Sequence, residues 1–360
     1  MTSPRFVITG GGTGGHLFPA IAFAEALTRR GMPKDAIHFV GAERGIEATV
    51  VPEHGFGVDL LPGRGFPRRI DLENLKNAAV TLKATNRARR ILKRQRPDVV
   101  VGFGGYASAP AILAARTLKI PTLIHEQNAV PGAVNRLAVR LGARAAVSWP
   151  ETPLPGAVVV GNPVREDVLG ATWQPADPFS VSVVGGSLGA KTLNDATLEL
   201  LELWQDRDVV VRHVAGPRNY ESVNSATIEI RGRQGTPRLD YRLSAFESDM
   251  AGLYATSHVV VARAGASTVA ELAVVGTPSV LVPLPGAPGD HQTRNARALS
   301  DHEGALLLPD AECSGSSLAR ALSELMEPSA GDQMHRRALA QGHRGAADDL
   351  ASMALEMTDV

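Results

Sequence analysis

The sequence predicts an α/β protein made of two Rossmann-like, doubly wound parallel-sheet domains that face each other across a cleft. Two observations carry this. Short apolar runs alternate with helical stretches along the whole chain, as in a parallel sheet covered by helices on both faces. In addition, one unit occurs in each half: an apolar strand, then a glycine loop, then a helix. The first copy reads Phe6-Val7-Ile8-Thr9 followed by Gly10-Gly11-Gly12-Thr13-Gly14-Gly15-His16. The second reads Val181-Ser182-Val183-Val184 followed by Gly185-Gly186-Ser187-Leu188-Gly189-Ala190. Each loop presents backbone N–H groups at a helix N-terminus, where the helix dipole favours an anion.

In the first half the apolar runs predict strands at 5–9, 37–40, 58–61, 98–101, 122–125, 145–148 and 157–160. Helical periodicity fills 16–30, 43–54, 72–95, 108–119 and 132–141. Gly161-Asn162-Pro163-Val164-Arg165 then ends the last strand in a turn, and a Pro-rich stretch follows at 173–178. This places the first domain at 1–163 and the second at 164–339, with a C-terminal helix at about 340–360 packing back on the first. The second half predicts strands at 179–184, 209–214, 258–262, 279–283 and 305–308. Its helices fall at 190–204, 247–255, 266–275, 291–301 and 315–327, with a last helical stretch from about 331.

The 360 residues exceed one typical domain, and 44% hydrophobic content suffices for two cores. A single cysteine, Cys313, rules out an internal disulfide and fits a reducing compartment. Met1-Thr2-Ser3-Pro4-Arg5 runs directly into a strand, which leaves no room for a signal peptide, and no apolar run approaches the length of a membrane span. Net charge is zero but unevenly distributed. Residues 1–160 hold 21 Lys+Arg against 11 Asp+Glu, and the remainder is acidic by the same margin. Such a split suggests that the first half faces an anionic surface.

The polar clusters fall where open α/β sheets bind ligands, at the carboxyl ends of strands. In the first half these are the loop at 10–16, Gly102-Phe103-Gly104-Gly105-Tyr106, and His125-Glu126-Gln127-Asn128. In the second they are Arg263-Ala264-Gly265-Ala266-Ser267-Thr268 with Glu271 one turn on, and Asp290-His291-Gln292-Thr293-Arg294-Asn295. A carboxylate such as Glu271 can accept both hydroxyls of a ribose, and the helix start just before it can hold a phosphate. Together they read as a nucleoside-diphosphate site. Gly10, Gly12 and Gly15 also satisfy G-x-G-x-x-G, and Glu43 stands close to the end of the second strand, so a dinucleotide-binding protein stays open as an alternative. His16 at a helix start reads either as a capping residue or as a group aimed at the loop's ligand. No bound metal or cofactor is expected. Asp206-Arg207-Asp208 lies at the amino end of its strand, away from the ligand edge, and no His/Cys spacing suits zinc.

The stretch 64–96 holds eleven Lys and Arg opposed only by Asp71 and Glu73. Arg68, Arg69, Ile70, Leu75, Lys76, Lys83, Arg87 and Arg90 combine positive charge with apolar residues, as a surface meeting anionic lipid headgroups would. A solvated helix packing its apolar side on the sheet is the plainer reading. Nucleic acid is not expected, because aromatic residues for base stacking are sparse.

Taken together and in order, these motifs resemble the MurG family, the bacterial peptidoglycan N-acetylglucosaminyltransferases. Those that carry the resemblance are Gly10–His16, Gly104-Gly105-Tyr106, His125–Asn128, Gly161–Arg165, Gly185-Gly186-Ser187, Arg263–Thr268 with Glu271, and His291-Gln292 with Asn295-Ala296. The resemblance runs nearly end to end and implies the GT-B fold. It also implies inverting transfer of N-acetylglucosamine from UDP-GlcNAc to the C4 hydroxyl of the muramyl sugar of lipid I, giving lipid II. The place implied is the cytoplasmic face of the inner membrane, with the protein bound peripherally and without a metal. The alternative in the same fold is a UDP-sugar transferase with a different acceptor.

Carried onto this chain, the resemblance assigns donor contacts to Thr13, Gly14, Gly15, His16, Asn128, Arg165, Ser187, Gly189, Glu247, Met250, Ala266, Ser267, Thr268, Glu271, His291 and Gln292. Acceptor contacts fall to Gly12, Thr13, Gly104, Gly105, Tyr106, His125, Glu126 and Gln127, and His16 is the candidate base. Two positions depart from the family pattern. Leu188 stands where the family's second loop has Gln, and the segment usually written Phe-Ile-x-x-Met reads Phe246-Glu247-Ser248-Asp249-Met250 here.

Overall fold

A computed structural model describes residues 3–43, 45–62, 73–186, 188–233 and 238–358. Of the sequence expectations, Ser187, Arg68, Arg69 and Ile70 lie outside the described residues, as do the side chains of Leu75 and Lys76.

The chain divides into two compact units. The first runs to Arg165 and is completed by the residues from Arg344 onward; the second is Glu166–His343. The first unit holds β1 (Phe6–Thr9), α1 (Gly14–Arg29), β2 (Ile37–Ala42), α2 (Glu47–Glu53), β3 (Gly57–Leu61), α3 (Glu73–Gln95), β4 (Val99–Gly102), α4 (Ala109–Leu118), β5 (Thr122–Glu126), α5 (Ala133–Arg140), β6 (Arg144–Val147) and β7 (Val158–Val159). The second holds α6 (Glu166–Gly170), β8 (Phe179–Val184), α7 (Lys191–Trp204), β9 (Val209–Val214), α8 (Tyr220–Arg233), β10 (Asp240–Ser244), α9 (Met250–Thr256), β11 (Val259–Ala262), α10 (Ala266–Val275), β12 (Ser279–Leu281), α11 (His291–Ser300), β13 (Leu306–Leu307), α12 (Gly315–Leu325) and α13 (Pro328–Gln341). The final helix, α14 (Ala346–Glu356), belongs to the first unit.

Both sheets are parallel and follow one plan. Their orders are β3-β2-β1-β4-β5-β6-β7 and β10-β9-β8-β11-β12-β13. In each, the order reverses beside the strand that feeds the glycine loop, between β1 and β4 and between β8 and β11. Ligands of doubly wound sheets bind outside the carboxyl ends of the strands at such a reversal.

The central strands are mostly apolar, as burial on both faces demands, and the buried Ser182 of β8 is hydrogen-bonded to the Ser257 hydroxyl. On one face of the first sheet, Phe6, Ile8, Val99 and Val101 pack with Leu17, Ile21 and Phe23 of α1 and with Leu350, Ala351 and Ala354 of α14. On the other, Val7, Val40 and Val100 meet Ala88, Ile91 and Leu92 of α3 and Ala111 and Ala115 of α4. In the second unit Val181, Val183, Val211 and Val261 pack with Leu193, Leu200 and Trp204 of α7 and Leu318 and Leu322 of α12.

Three differences from the sequence expectation are local. The stretch 215–246 holds α8 and β10, for which no element was expected. α8 mixes β-branched, Ser and Asn residues without a clear 3.6-residue stripe, and β10 is a five-residue edge strand. The last helical stretch is two helices, broken at Gly342–Gly345, where the chain passes from the second unit to the first. A side chain on Gly342 would press on the α10 backbone at Ala273, 2.7 Å from its carbonyl oxygen. Finally, α2 begins at Glu47 rather than 43, and the Glu47 carboxylate accepts the N–H of Gly12 in the first glycine loop.

Candidate active site

In the first unit, β1 delivers Gly10–Thr13 to the carboxyl edge of the sheet and α1 begins at Gly14. Thr13 is extended and makes no side-chain cap, so the first N–H groups of α1 are not satisfied by its side chain. Gly11 and Gly12 have positive φ. At Gly11 a side chain is excluded as well, because a Cβ there would occupy the place of the Glu47 carboxylate. Glu47 is buried, and its Oε1 accepts the N–H of Gly12 at 2.6 Å. This corrects the expectation for Gly12: its N–H is committed to Glu47 and is not offered to an acceptor phosphate.

The loop after β4 approaches the first loop closely. Gly104 and Gly105 have positive φ, and a Cβ on Gly105 would lie 2.6 Å from the Gly11 carbonyl oxygen and 3.1 Å from Cδ2 of His16. The ring of Tyr106 lies beside Gly12. His16 and the Gly104–Tyr106 loop thus lie close together around the first glycine loop.

His125, Glu126 and Gln127 do not reach the surface. His125 and Gln127 are fully buried, and Glu126 is 2% exposed. Direct contact with an acceptor is therefore replaced by internal bonding. His125 Nε2 lies 2.8 Å from the Gly161 carbonyl, and its ring sits against Phe103 at 5.6 Å. Burial holds its pKa down to about 4, partly offset by the Gly161 bond, so the ring is neutral. Glu126 accepts from Asn135 (2.8 Å), from the N–H of Gly132 (2.9 Å) and from the N–H of Asn128 (3.1 Å), which fixes the loop that carries Asn128. Gln127 joins His125 to His16, with its Oε1 3.0 Å from His16 Nδ1. Arg165 lies over the Phe18 ring of α1 at 5.4 Å.

The second unit repeats the arrangement. Gly185–Ala190 leads from β8 into α7, whose N-cap Ala190 has no capping side chain. Gly189 has positive φ, and a Cβ there would collide with the Ala215 carbonyl. After β11, Gly265 caps α10 without a side chain, and the Oγ of Ser267 is buried with no partner among the described residues. Arg263 is anchored to Asp310 at 2.5 Å and to the carbonyls of Val282 and Pro283, while Asn295 donates to the Ala264 carbonyl. Two uncapped helix starts, of α7 and α10, therefore flank the reversal between β8 and β11, with Ala266, Ser267 and Thr268 at the second. Glu271 is 9% exposed, and its Oε2 accepts the hydroxyl of Tyr254, itself buried, at 2.9 Å.

Further along, Gln292 Oε1 accepts the N–H of Leu284, and His291 Nδ1 lies 2.9 Å from the Pro288 carbonyl. Glu247 accepts the N–H of Asp249, which in turn caps α9 just before Met250. Leu188 is 61% exposed. Among the described residues no three His, Cys, Asp or Glu side chains gather as a metal site.

Two domain profiles match this chain: the glycosyltransferase family 28 N-terminal domain over residues 6–147, and its C-terminal domain over residues 180–350. It is 36% identical to the UDP-N-acetylglucosamine–N-acetylmuramyl-(pentapeptide) pyrophosphoryl-undecaprenol N-acetylglucosamine transferase of Leuconostoc mesenteroides, covering 98% of this chain and 99% of that protein. It is 40% identical to the protein of the same name from Syntrophotalea carbinolica, over 90% of each. Acinetobacter baumannii MurG superposes with a TM-score of 0.78 at 31% identity, covering 98% of this chain and 100% of that one. The chain belongs to the MurG family. Its fold is GT-B, shared also with the kitacinnamycin glycotransferase at a TM-score of 0.71 and 15% identity.

Within this MurG-family chain the dinucleotide alternative loses its acidic residue. Glu43 is half-exposed and paired with Arg87 of α3 at 3.2 Å. The motifs passed over Glu47, Asn135 and Tyr254, each of which buttresses a motif residue. No motif or spacing marks these three, because each meets its partner only once the chain is folded.

Proposed function

We propose that this chain moves N-acetylglucosamine from UDP-GlcNAc to the C4 hydroxyl of the muramyl sugar of lipid I, undecaprenyl-pyrophosphoryl-MurNAc-pentapeptide. The product is lipid II, for peptidoglycan synthesis, with inversion at the anomeric carbon. The observation that carries this reading is the near full-length identity to transferases of that name.

The second unit takes the donor. Glu271 accepts the ribose hydroxyls, with its carboxylate oriented by Tyr254. The uncapped starts of α7 and α10 and the Ser267 hydroxyl receive the diphosphate, and they stabilise the charge that builds on departing UDP. His291, Gln292, Glu247, Met250 and Gly189 shape the rest of the donor site, and Arg165 and Asn128 are further donor contacts. That unit takes the acceptor on Thr13, Gly104, Gly105 and Tyr106, with Gly14 and Gly15 at the helix mouth. His16 removes the proton from the attacking hydroxyl. The protein works peripherally on the cytoplasmic face of the inner membrane, held by the basic surface of α3. Among the described residues no helix is long and apolar enough to cross a membrane.

The experiment is UDP release from a panel of UDP-sugars, with and without a lipid I analogue. Release is expected from UDP-GlcNAc and only with the analogue. His16→Ala should lower kcat by on the order of 10²–10⁴, and Glu271→Gln should raise the KM for UDP-GlcNAc but not for the analogue. Preference for another UDP-sugar would refute the donor. Near-normal turnover by His16→Ala at saturating substrates would refute the base.

A further inference from the structure

The half-buried ring of His16 ends a chain of hydrogen bonds that begins at two main-chain carbonyls. A carbonyl oxygen can only accept, so each fixes the group facing it. The Gly161 carbonyl, 2.8 Å from His125 Nε2, makes that nitrogen a donor. The neutral ring of His125 therefore keeps its lone pair on Nδ1. The carbonyl of His125 itself lies 3.1 Å from Gln127 Nε2, which sets the amide of Gln127 with its nitrogen toward His125 and its oxygen away. That same nitrogen donates to the His125 Nδ1 lone pair at 3.0 Å. The remaining end of the amide, Oε1, meets His16 Nδ1 at 3.0 Å. An amide oxygen has no proton to give, so His16 Nδ1 must carry one.

We infer that Gln127, locked by His125 and by the Gly161 and His125 carbonyls, holds His16 as the Nδ1–H tautomer and so keeps the lone pair on Nε2. Nε2 has no hydrogen-bond partner among the described residues, and the Cε1–Nε2 edge lies against the Gly104–Gly105 turn. A Cβ on Gly104 would be 3.6 Å from Cε1, and one on Gly105 would be 3.6 Å from Nε2. With no Cβ on either glycine, no side chain from this turn blocks the lone pair, which stands where a hydroxyl held there would lose its proton. A free neutral imidazole side chain prefers the opposite tautomer, with the proton on Nε2 and no basic site at that edge. Gln127 and His125 are thus positioning residues: buried, out of reach of substrate, and acting through His16.

This inference rests on the reading of His16 as the base, and its test separates the two. Long-range ¹H–¹⁵N correlation spectra of the ¹⁵N-histidine protein report which ring nitrogen is protonated, with His16 assigned by the signals missing in His16→Asn. In the native protein at pH 8, His16 is expected to show a protonated Nδ1 and a pyridine-type Nε2. A protonated Nε2 there overturns the inference without any variant of Gln127. In Gln127→Met, which keeps the side-chain length and removes the acceptor, the Nε2–H form should appear. kcat with UDP-GlcNAc and the lipid I analogue should then fall on the order of ten- to a hundredfold at little changed KM. Gln127→Glu, which restores the acceptor oxygen, should return His16 to the Nδ1–H form. Unchanged tautomer or unchanged kcat in Gln127→Met refutes the positioning role. If the spectra behave as expected while His16→Ala keeps its turnover, the tautomer stands and the base assignment alone falls.

Discussion

Tyr254 has no place in any motif, yet it is the donor to the carboxylate on which ribose recognition is proposed to depend. Its hydroxyl, on α9, reaches Glu271 Oε2 at 2.9 Å inside a site where Glu271 is 9% exposed. A hydrogen bond to a charged group in such surroundings is worth about 1.5–3 kcal/mol. Tyr254→Phe keeps the ring packing and removes the donor, so UDP should bind about tenfold more weakly by calorimetry. KM for the lipid I analogue should not change. Equal UDP affinity in both proteins would mean that the hydroxyl does not orient Glu271. At this scale the sequence shows one member of each pair. Glu271 stands in a recognisable context after a helix start, and His16 closes a glycine loop. Their partners lie 17 and 111 residues away, and only the fold brings them near. The buried state of His125 and Gln127 was hidden for the same reason. A polar tetrapeptide at a strand end looks alike whether it faces a substrate or the core.

At the scale of elements, the two glycine loops were legible because each interrupts a change of period, from a buried strand to a helix. α8 and β10 lacked such a change. α3 was legible as a helix, but its charge balance was not. Ala84, Ala88, Ile91 and Leu92 face the sheet, while Lys83, Arg87, Arg90 and Arg94 follow one another at helical spacing along the exposed side. The sequence counts only Asp71 and Glu73 against the basic stretch. The fold adds Glu43, just past the end of β2, beside Arg87 and Asp59, in the middle of β3, beside Arg94. Lys83, Arg90 and Lys93 remain exposed, together with Leu82, which is 63% exposed. Each basic residue near an anionic surface is worth about 1 kcal/mol. Lys83→Glu/Arg90→Glu/Lys93→Glu leaves the two ion pairs intact and should lower partition onto phosphatidylglycerol vesicles at least about tenfold. UDP-GlcNAc affinity should stay the same. Undiminished sedimentation with the vesicles would return α3 to an ordinary solvated helix.

At the scale of the molecule, two sheets of the same strand order each bury a neutral histidine at the edge that carries the loops. In the first sheet it is His125 on β5; in the second it is His213, on the strand that corresponds to β2 rather than to β5. It is buried on β9, with Nε2 2.9 Å from Asn194 Oδ1 and Nδ1 2.9 Å from the Tyr241 hydroxyl. Asn194 also donates to the Ala215 carbonyl, the group against which Gly189 turns, so this network braces the second glycine loop from beneath. Burial lowers the pKa of His213 from 6.5 to about 4 and raises that of Tyr241 to about 12. The neutral ring is the form that the folded unit accepts, whereas the unfolded chain binds a proton already near pH 6.5. Between those values the unfolded state holds more protons, so stability falls as pH falls, and the loss is complete near pH 4. A shift of this size corresponds to about 3 kcal/mol. His213→Gln places amide groups near the same two partners and has nothing to protonate. It should be less stable than the native protein at pH 7.5 by urea unfolding. Its deficit should shrink by about 3 kcal/mol on going from pH 7 to pH 4, because only the native protein carries the buried proton penalty. Other titrating groups are common to both proteins and cancel in the difference. Parallel stability curves over that range would mean that His213 accepts its proton in the folded unit as readily as in the unfolded chain.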